Sequence, residues 1–229
     1  MKTRIRKTRA LTMIEVLIVV AVLMLLAVFY FSIASNRPHT TSRKRWLPCT
    51  SSLRQIGIAF QIWAQDHNGK FPMQVSVTNG GSMEFVGGPE TFRHFRVMSN
   101  DLNTPKILLC SSEVDSWRKR ATVFDGPSTE PGWLPFASNT NLSYFVGIDA
   151  MDLHPQMLLA GDHNITNGTV IRSSWLEVTT NRSTGWTSKM HVNLGNVVLV
   201  DGSVQSVNTA GLRDLIKLTR VATNRLAMP

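Results

Sequence analysis

The longest apolar stretch of the chain runs from Val16 to Ala34, nineteen residues without a charge. A helix of this length can cross the hydrocarbon core of a bilayer. Since the sequence contains no second stretch of this kind, it predicts one transmembrane helix over 11–34 and one large domain outside the hydrocarbon. Glu15 stands at the start of the run. A carboxylate in hydrocarbon is costly, so a functional role is our hypothesis, and snorkelling to the interface is the alternative.

A second helix is predicted by a different pattern, in which apolar residues recur every three or four positions between Cys49 and His67. This spacing places them on one side of a helix, which we expect to pack against a sheet. Before it, Pro38 and Pro48 predict a kinked or partly extended stalk over 35–48, because a helix normally stops or kinks before proline. The recurring apolar residues are Leu53, Ile56, Phe60, Trp63 and Ala64.

Beyond Pro72, short β-prone runs alternate with stretches rich in Gly, Pro and Asn. The clearest local signal is a pair of β-prone runs joined by Asp201-Gly202, which predicts a hairpin with a type I′ turn. A last helix is expected from Thr209, and the fold class is α+β. Further strands are predicted at 107–109, 142–146, 156–160 and 175–179, and the apolar face of the last helix at Leu212, Leu215, Ile216 and Val221.

The net charge of +9 and the isoelectric point near 10.2 at first favour a nucleic-acid partner. Five of the positive charges lie in the first ten residues, however, and three more, Arg43–Arg45, follow the apolar run. Both clusters flank the predicted span, where basic residues meet lipid headgroups. We therefore expect membrane lipid as a partner and no nucleic acid. The basic N-terminus should stay in the cytoplasm, with the C-terminal domain periplasmic or extracellular.

An ordinary secretory signal is the main alternative for the N-terminal region. A basic start, an apolar run and the small residues Ser32-Ile33-Ala34 are typical of a signal cleaved after Ala34. The apolar run is longer than the usual core of such a signal, and Glu15 at its start is not expected there. Both observations favour an anchor that is retained.

The segment from Arg9 to Leu17, RALTMIEVL, resembles the class III signal of type IV pilins and type II secretion pseudopilins. In that family a prepilin peptidase cuts after a small residue, which implies cleavage after Ala10 and a cytoplasmic leader peptide over 1–10. The resemblance implies N-methylation of the new terminus, Leu11, and an assembly role for Glu15, the fifth residue of the mature chain. Ala10 and Leu11 replace the commoner glycine and phenylalanine.

The C-terminal part is similar to a large group of pilin-like proteins. His191 is followed by nine residues and then Asp201-Gly202, as in their H-X9-DG signature, and the segments 53–57 and 108–113 also look like that group. The resemblance implies a pilin fold for 49–229, with an N-terminal helix packed on a mostly antiparallel β-sheet. It implies a structural subunit of a type II secretion-like or type IV pilus-like assembly in the inner (cytoplasmic) membrane. Its partners would be the prepilin peptidase/methyltransferase and other pilin-like subunits.

Two cysteines, Cys49 and Cys110, lie in the domain expected outside the cytoplasm. An even count in an oxidising compartment favours a disulfide, and two buried free thiols are the alternative.

Several His and Asp residues could suggest a metal or hydrolytic site. An extended strand over 196–200 spans roughly 17 Å and would separate His191 from Asp201, whose presence turn chemistry explains. We expect no catalytic residue, cofactor or metal, since nucleophile–base motifs and phosphate loops are absent from the sequence. Calcium in a loop holding Asp149 and Asp152 remains an alternative, because some major pseudopilins bind it. The other candidates were Asp162 and His163.

Two functions therefore compete. The first is the structural pilin-like subunit, which is no enzyme. The alternative is a membrane-anchored surface or polymer-binding protein that uses the pilin N-terminus only for export and anchoring. Four tryptophans could present a binding surface in that case, although aromatic residues are more often part of a core. They are Trp117, Trp133, Trp175 and Trp186.

Overall fold

The computed structural model describes residues 13–35, 43–127, 131–169, 175–180 and 183–229. The chain divides into two compact units, Met1–Ser42 and Arg43–Pro229. The helices are α1 Met13–Ser35, α2 Arg43–Asp66, α3 Phe92–Arg96, α4 Ser99–Leu102 and α5 Thr209–Leu218. The strands are β1 Tyr144–Gly147, β2 Leu158–Asp162, β3 Ile165–Thr166, β4 Trp175–Val178, β5 Gly185–Trp186, β6 Leu194–Leu199, β7 Val204–Asn208 and β8 Asn224–Ala227.

Helix α1 is apolar on all sides. Every residue from Met13 to Tyr30 is exposed, and the mean hydropathy of this stretch is 2.8. By length and composition α1 is consistent with a single membrane-spanning helix. The region expected to be a leader, 1–10, lies outside the described residues.

Helix α2 begins at Arg43, six residues before the predicted start at Cys49. The prediction of a stalk over 35–48 is therefore wrong for its last part, Arg43–Pro48. Pro48 is the sixth residue of this helix and lacks the N–H that would donate to the carbonyl of Lys44, so α2 runs through the proline with one intrahelical bond fewer. Pro38 lies outside the described residues.

The apolar stripe of α2 is buried as predicted, and it packs on the sheet. Gly57 lies where the helix comes closest to β6. A Cβ atom at Gly57 would lie 2.7 Å from Cγ2 of Val198, which is nearer than real contacts allow. The small residue at this position therefore sets the distance between helix and strand.

The main sheet has six strands in the order β4-β8-β1-β2-β6-β7, and all neighbours are antiparallel. Strands β3 and β5 pair separately. Strand β8 was not predicted, although it lies between β4 and β1. The strand predicted at 107–109 is wrong: Pro105–Leu108 is a 3-10 helix, whose start suits proline, with its fixed φ and missing N–H.

The two faces of the sheet carry separate cores. One core lies between the sheet and α2 and includes Phe60 and Val198. The other includes Val197 of β6 together with Leu212 and Ile216 of α5. Alternate residues of β6 thus serve opposite cores, as the twofold repeat of a strand requires. Val221 lies beyond the end of α5 and so is not part of its apolar face.

Candidate functional site

Helix α1 carries a single charged residue, Glu15, in its first turn and on an exposed surface. The large apolar side chains between Met13 and Tyr30 are 43% to 84% exposed. Lipid or other helices would be needed to cover them. Ala10 and Leu11, where cleavage and methylation are expected, lie outside the described residues. The carboxylate at the start of an otherwise uncharged helix is the candidate functional feature of the first unit.

The globular unit Arg43–Pro229, taken by itself, contains a disulfide between Cys49 and Cys110, the pairing that the sequence predicts. The S–S distance is 2.09 Å and the two Cα atoms lie 5.3 Å apart. Cys49 belongs to α2, and Cys110 follows the 3-10 helix Pro105–Leu108. Both residues are buried, so the bond ties α2 to the loop that covers the end of the sheet.

His191 of the H-X9-DG signature lies beside this disulfide. Its Nε2 atom is 3.5 Å from Sγ of Cys110 and 3.3 Å from Oδ2 of Asp162. Asp162 ends β2, and its Oδ2 accepts hydrogen bonds from the backbone N–H and the side-chain amide of Asn196. Ser206 of β7 in turn donates to Oδ1 of Asn196. A polar row thus runs across the sheet from the disulfide, buried at His191, Asp162 and Asn196 and ending at the exposed Ser206.

Burial dominates the electrostatics of this row. It raises the pKa of Asp162 to about 7, although the hydrogen bonds from Asn196 favour the ionised form. Burial lowers the pKa of His191, and the nearby charge of Glu113 acts in the opposite direction. Burial also raises the pKa of Tyr144, the residue of β1 opposite Asp162. The row therefore favours neutral groups.

Asp201 and Gly202, the other half of the signature, form a turn at the far end of β6. Gly202 donates to the carbonyl of Leu199, the N–H of Leu199 donates to the carbonyl of Ser203, and Asp201 Oδ1 accepts from the N–H of Ser203. Only Gly202 of the Asp-Gly pair has positive φ, at 81°. The predicted type I′ turn is therefore wrong, and a three-residue turn with glycine in the left-handed position closes the hairpin.

This turn docks on α2. The side-chain amide of Gln61 donates to the carbonyl of Val200, and a Cβ atom on Gly202 would lie 2.8 Å from Nε2 of Gln61. His191 and Asp201 are thus not brought together. His191 instead contacts Cys110 in the loop after the 3-10 helix, whereas the turn at Asp201-Gly202 contacts α2.

A second polar cluster is centred on Glu113. Its Oε2 atom accepts from Ser143 at 2.7 Å and lies 2.9 Å from Nε2 of His163. Nε of buried Arg118 is 3.5 Å away. Burial by itself would raise the pKa of Glu113, but the hydrogen bonds from His163 and Ser143 outweigh it and lower the pKa to about 2.

This cluster is neutralised by its own chain. Asp115 lies 3.2 Å from Nζ of Lys189 and 4.0 Å from Nε of Arg118, so two carboxylates face two fixed cations. Arg118 also donates to the carbonyls of Asn139 and Leu142. The arrangement is suited to holding loops together. Ser143 and His163 both contact Glu113 and do not form a nucleophile–base pair through it.

The acidic pair considered for calcium does not converge. Asp149 accepts from Nε of Arg225 at 3.0 Å and from its backbone N–H at 2.9 Å. Asp152 is exposed and lies near Gly69 instead. Two carboxylates with different neighbours do not supply the six or more oxygens, roughly, that calcium takes.

The four tryptophans have different surroundings. Trp186 is buried, and the ring of Trp175 lies within reach of Arg225. Trp117 and Trp133 are about half exposed. The guanidinium of Arg118 lies 4.3 Å from the ring centre of Trp117, and the ring of Trp133 covers Gly126. Both exposed rings therefore already have contacts within the chain.

The sequence does not predict the centre of the second cluster. Glu113 is only part of the segment 108–113, and no local pattern assigns a site role to Ser143, Arg118 or Asn196. One signal was available: Glu113 follows Cys110 by three residues, so a disulfide at Cys110 would hold it near the end of the sheet.

The chain matches no family model, no curated protein and no solved structure in the comparisons with known proteins.

Proposed function

We propose that the chain is a structural subunit of a type II secretion-like or type IV pilus-like assembly, with a pilin fold and no enzymatic activity. Its observed α+β architecture, an apolar N-terminal helix and a helix packed on an antiparallel sheet, is compatible with that fold. The observation that carries the proposal is α1, whose residues Met13–Tyr30 are all exposed and which has one carboxylate in its first turn. Within a membrane this carboxylate is costly unless it is paired, and a neighbouring subunit can supply the partner.

In this proposal a prepilin peptidase cuts after Ala10, and the new terminus, Leu11, is methylated. The N-terminus lies at the cytoplasmic side of the inner membrane, and the unit Arg43–Pro229 lies outside the cytoplasm. Four residues along a helix place Glu15 about 6 Å deeper than the amine of Leu11. The carboxylate of one subunit can then pair with the amine of its neighbour, which offsets the cost of burying both charges.

The first test is the mass of the N-terminal peptide of the membrane-bound protein. We expect a mature chain that begins with methylated Leu11. A chain that begins at Ser35 would contradict the proposal and support an ordinary secretory signal.

The second test separates assembly from anchoring. Glu15→Val should leave membrane targeting, cleavage and the folding of the globular unit unchanged, because it only makes α1 more apolar. Photo-cross-linking between α1 helices should fall sharply, and Glu15→Asp, which keeps the charge, should retain part of it. Wild-type cross-linking in Glu15→Val would instead favour an anchored binding protein, whose helix serves only for export and attachment.

A further inference from the structure

The atoms around the disulfide have the composition of a metal site. Sγ of Cys49, Sγ of Cys110 and Nε2 of His191 all lie within 4.8 Å of one another. Asp162 Oδ2 lies 3.3 Å from the same His191 nitrogen. All four residues are at most 2% exposed.

Two of the observed distances match tetrahedral coordination, whereas the two sulfurs, bonded at 2.09 Å, would separate on reduction to the spacing of about 3.8 Å that two thiolates take on one zinc ion. Zinc lies about 2.3 Å from a thiolate sulfur and about 2.0 Å from an imidazole nitrogen or a carboxylate oxygen. Tetrahedral angles then place nitrogen and sulfur about 3.5 Å apart and nitrogen and oxygen about 3.3 Å apart. These are the separations of His191 Nε2 from Cys110 and from Asp162. Because one nitrogen faces both partners, the geometry differs from a catalytic triad, which uses both ring nitrogens.

Two further observations point to a cation. Oδ1 of Asp162 is buried, and among the described residues it has no hydrogen-bond partner. Donors also face the sulfurs: the backbone N–H of Ser112 lies 3.4 Å from Sγ of Cys110, and the hydroxyl of Ser111 lies 3.5 Å from Sγ of Cys49. Such donors stabilise thiolates, the form of cysteine that binds metals.

We propose that the dithiol form of this protein binds one Zn²⁺-like divalent cation through Cys49, Cys110 and His191, with Asp162 in the fourth position. A dithiol reductant supplies two electrons and two protons to the disulfide, gives two thiols and becomes a disulfide itself. Each thiol then releases its proton as it binds the cation. Disulfide and metal site exclude each other, because the same two sulfurs form both. The proposal holds for any role of α1.

The other cluster of potential ligands, Glu113, Asp115 and His163, does not carry the same inference. Arg118 and Lys189 already neutralise its two carboxylates, so a divalent cation would add two uncompensated charges. At the disulfide, no lysine or arginine among the described residues forms an ion pair with Asp162, whose one such partner is His191.

The test uses the full chain in detergent micelles, reduced with a phosphine under nitrogen and then freed of reductant. On titration with Co²⁺ we expect one equivalent to bind, with the visible bands of tetrahedral thiolate-bound cobalt, and Zn²⁺ to displace it. The oxidised chain should show none of these bands. His191→Gln and Asp162→Asn should each weaken Zn²⁺ binding at least about tenfold. His154→Gln, an exposed histidine, is the matched control and should bind as the wild type does.

A second measurement uses the wild-type chain and so does not depend on how well the variants fold. In the reduced wild-type chain, Zn²⁺ should slow alkylation of Cys49 and Cys110, as followed by peptide mass spectrometry. If reduction unfolds the globular unit, Zn²⁺ should restore its circular dichroism spectrum. The proposal is overturned if reduced wild type shows neither cobalt bands nor protection by Zn²⁺. It is also overturned if His191→Gln binds Zn²⁺ as tightly as wild type, which would mean that the two thiols act alone.

Discussion

Helices α1 and α2 have nearly the same length, 23 and 24 residues, but opposite relations to their surroundings. In α2, one apolar side that includes Leu53, Ile56 and Phe60 is buried against the sheet, while the other side, with Arg54, Gln55, Ile58 and Ile62, remains exposed. In α1, apolar residues occupy every side, and those from Met13 to Tyr30 are exposed. One sheet can bury only one side of a helix. The comparison teaches that α2 is completed by its own chain, whereas α1 requires lipid or other helices.

The acidic groups show the same contrast. Glu113 receives hydrogen bonds from Ser143 and His163 of its own chain, and Asp149 pairs with Arg225. Glu15 stands on an exposed helix surface. These two carboxylates of the globular unit have partners within their own chain, whereas Glu15 lies on the exposed surface of α1.

The sharpest way to test the comparison is to remove one phenylalanine ring from each helix. Phe60 of α2 is fully buried and lies about 6 Å, between ring centres, from both Phe71 and Phe95. Phe60→Ala should lower the free energy of unfolding of the globular unit by about 3–5 kcal/mol. Phe29→Ala removes a ring of α1 that is 71% exposed, and it should leave the free energy of unfolding of the globular unit unchanged. Urea unfolding in detergent would measure both, and a comparable loss in Phe29→Ala would mean that α1 packs on the globular unit.

The disulfide strengthens the attachment of α2 to its own chain. Cys49→Ser combined with Cys110→Ser should lower the free energy of unfolding by about 2–4 kcal/mol, since the bond closes a long loop in the unfolded chain. Thermal unfolding with and without reductant gives the control, because reduction of the wild type should reproduce most of the loss. If the double variant is as stable as wild type, α2 is held by packing alone.

Acid should weaken the globular unit through His94. This residue is buried, its Nδ1 lies 2.8 Å from the hydroxyl of Ser82, and burial lowers its pKa to about 4. Between pH 6.5 and about 4 the unfolded chain therefore takes up a proton that the folded one does not. The stability that neutral His94 provides is complete above pH 6.5 and is lost as the pH falls through that range, by about 2–3 kcal/mol.

His94→Gln is the control for this pH effect, because glutamine can bond to Ser82 but does not ionise. Urea unfolding at several pH values should give a flatter profile for this variant between pH 6.5 and 4. An unchanged slope would assign the acid sensitivity to other groups.

The smallest effects are expected at the turn that docks on α2. Gly202→Val should cost about 1–2 kcal/mol, because a β-branched residue is strained at positive φ. Asp201→Asn should change the free energy of unfolding little, since its side-chain oxygen can still accept from the N–H of Ser203. Chemical unfolding of both variants would measure the two changes in the free energy of unfolding. Loss of function in a stable Asp201→Asn protein would show that Asp201 does more than form a turn.

Part of the fold could be predicted because its signals are local. The stripe of α2 and the hairpin at Asp201-Gly202 depend on residues close in sequence. Strand β8, Asn224–Ala227, could not be predicted in this way, since it is short and exists as a strand by pairing with β1 and β4. The apolar residues after Pro105 are compatible with either a strand or a 3-10 helix. They form the helix because of contacts with the rest of the fold, which the local sequence does not specify.

The apolar surface of α1, the apolar side of α2 and the presence of two cysteines that can pair are all readable from the sequence. These properties follow from periodicity and composition, which act over a few residues. By contrast, the fold is what brings His191 to Asp162 and Cys110, residues 29 and 81 positions away along the chain. Such contacts depend on the strand order and on how α2 packs over the sheet. These arrangements arise from burial of the whole core, and no local pattern specifies them.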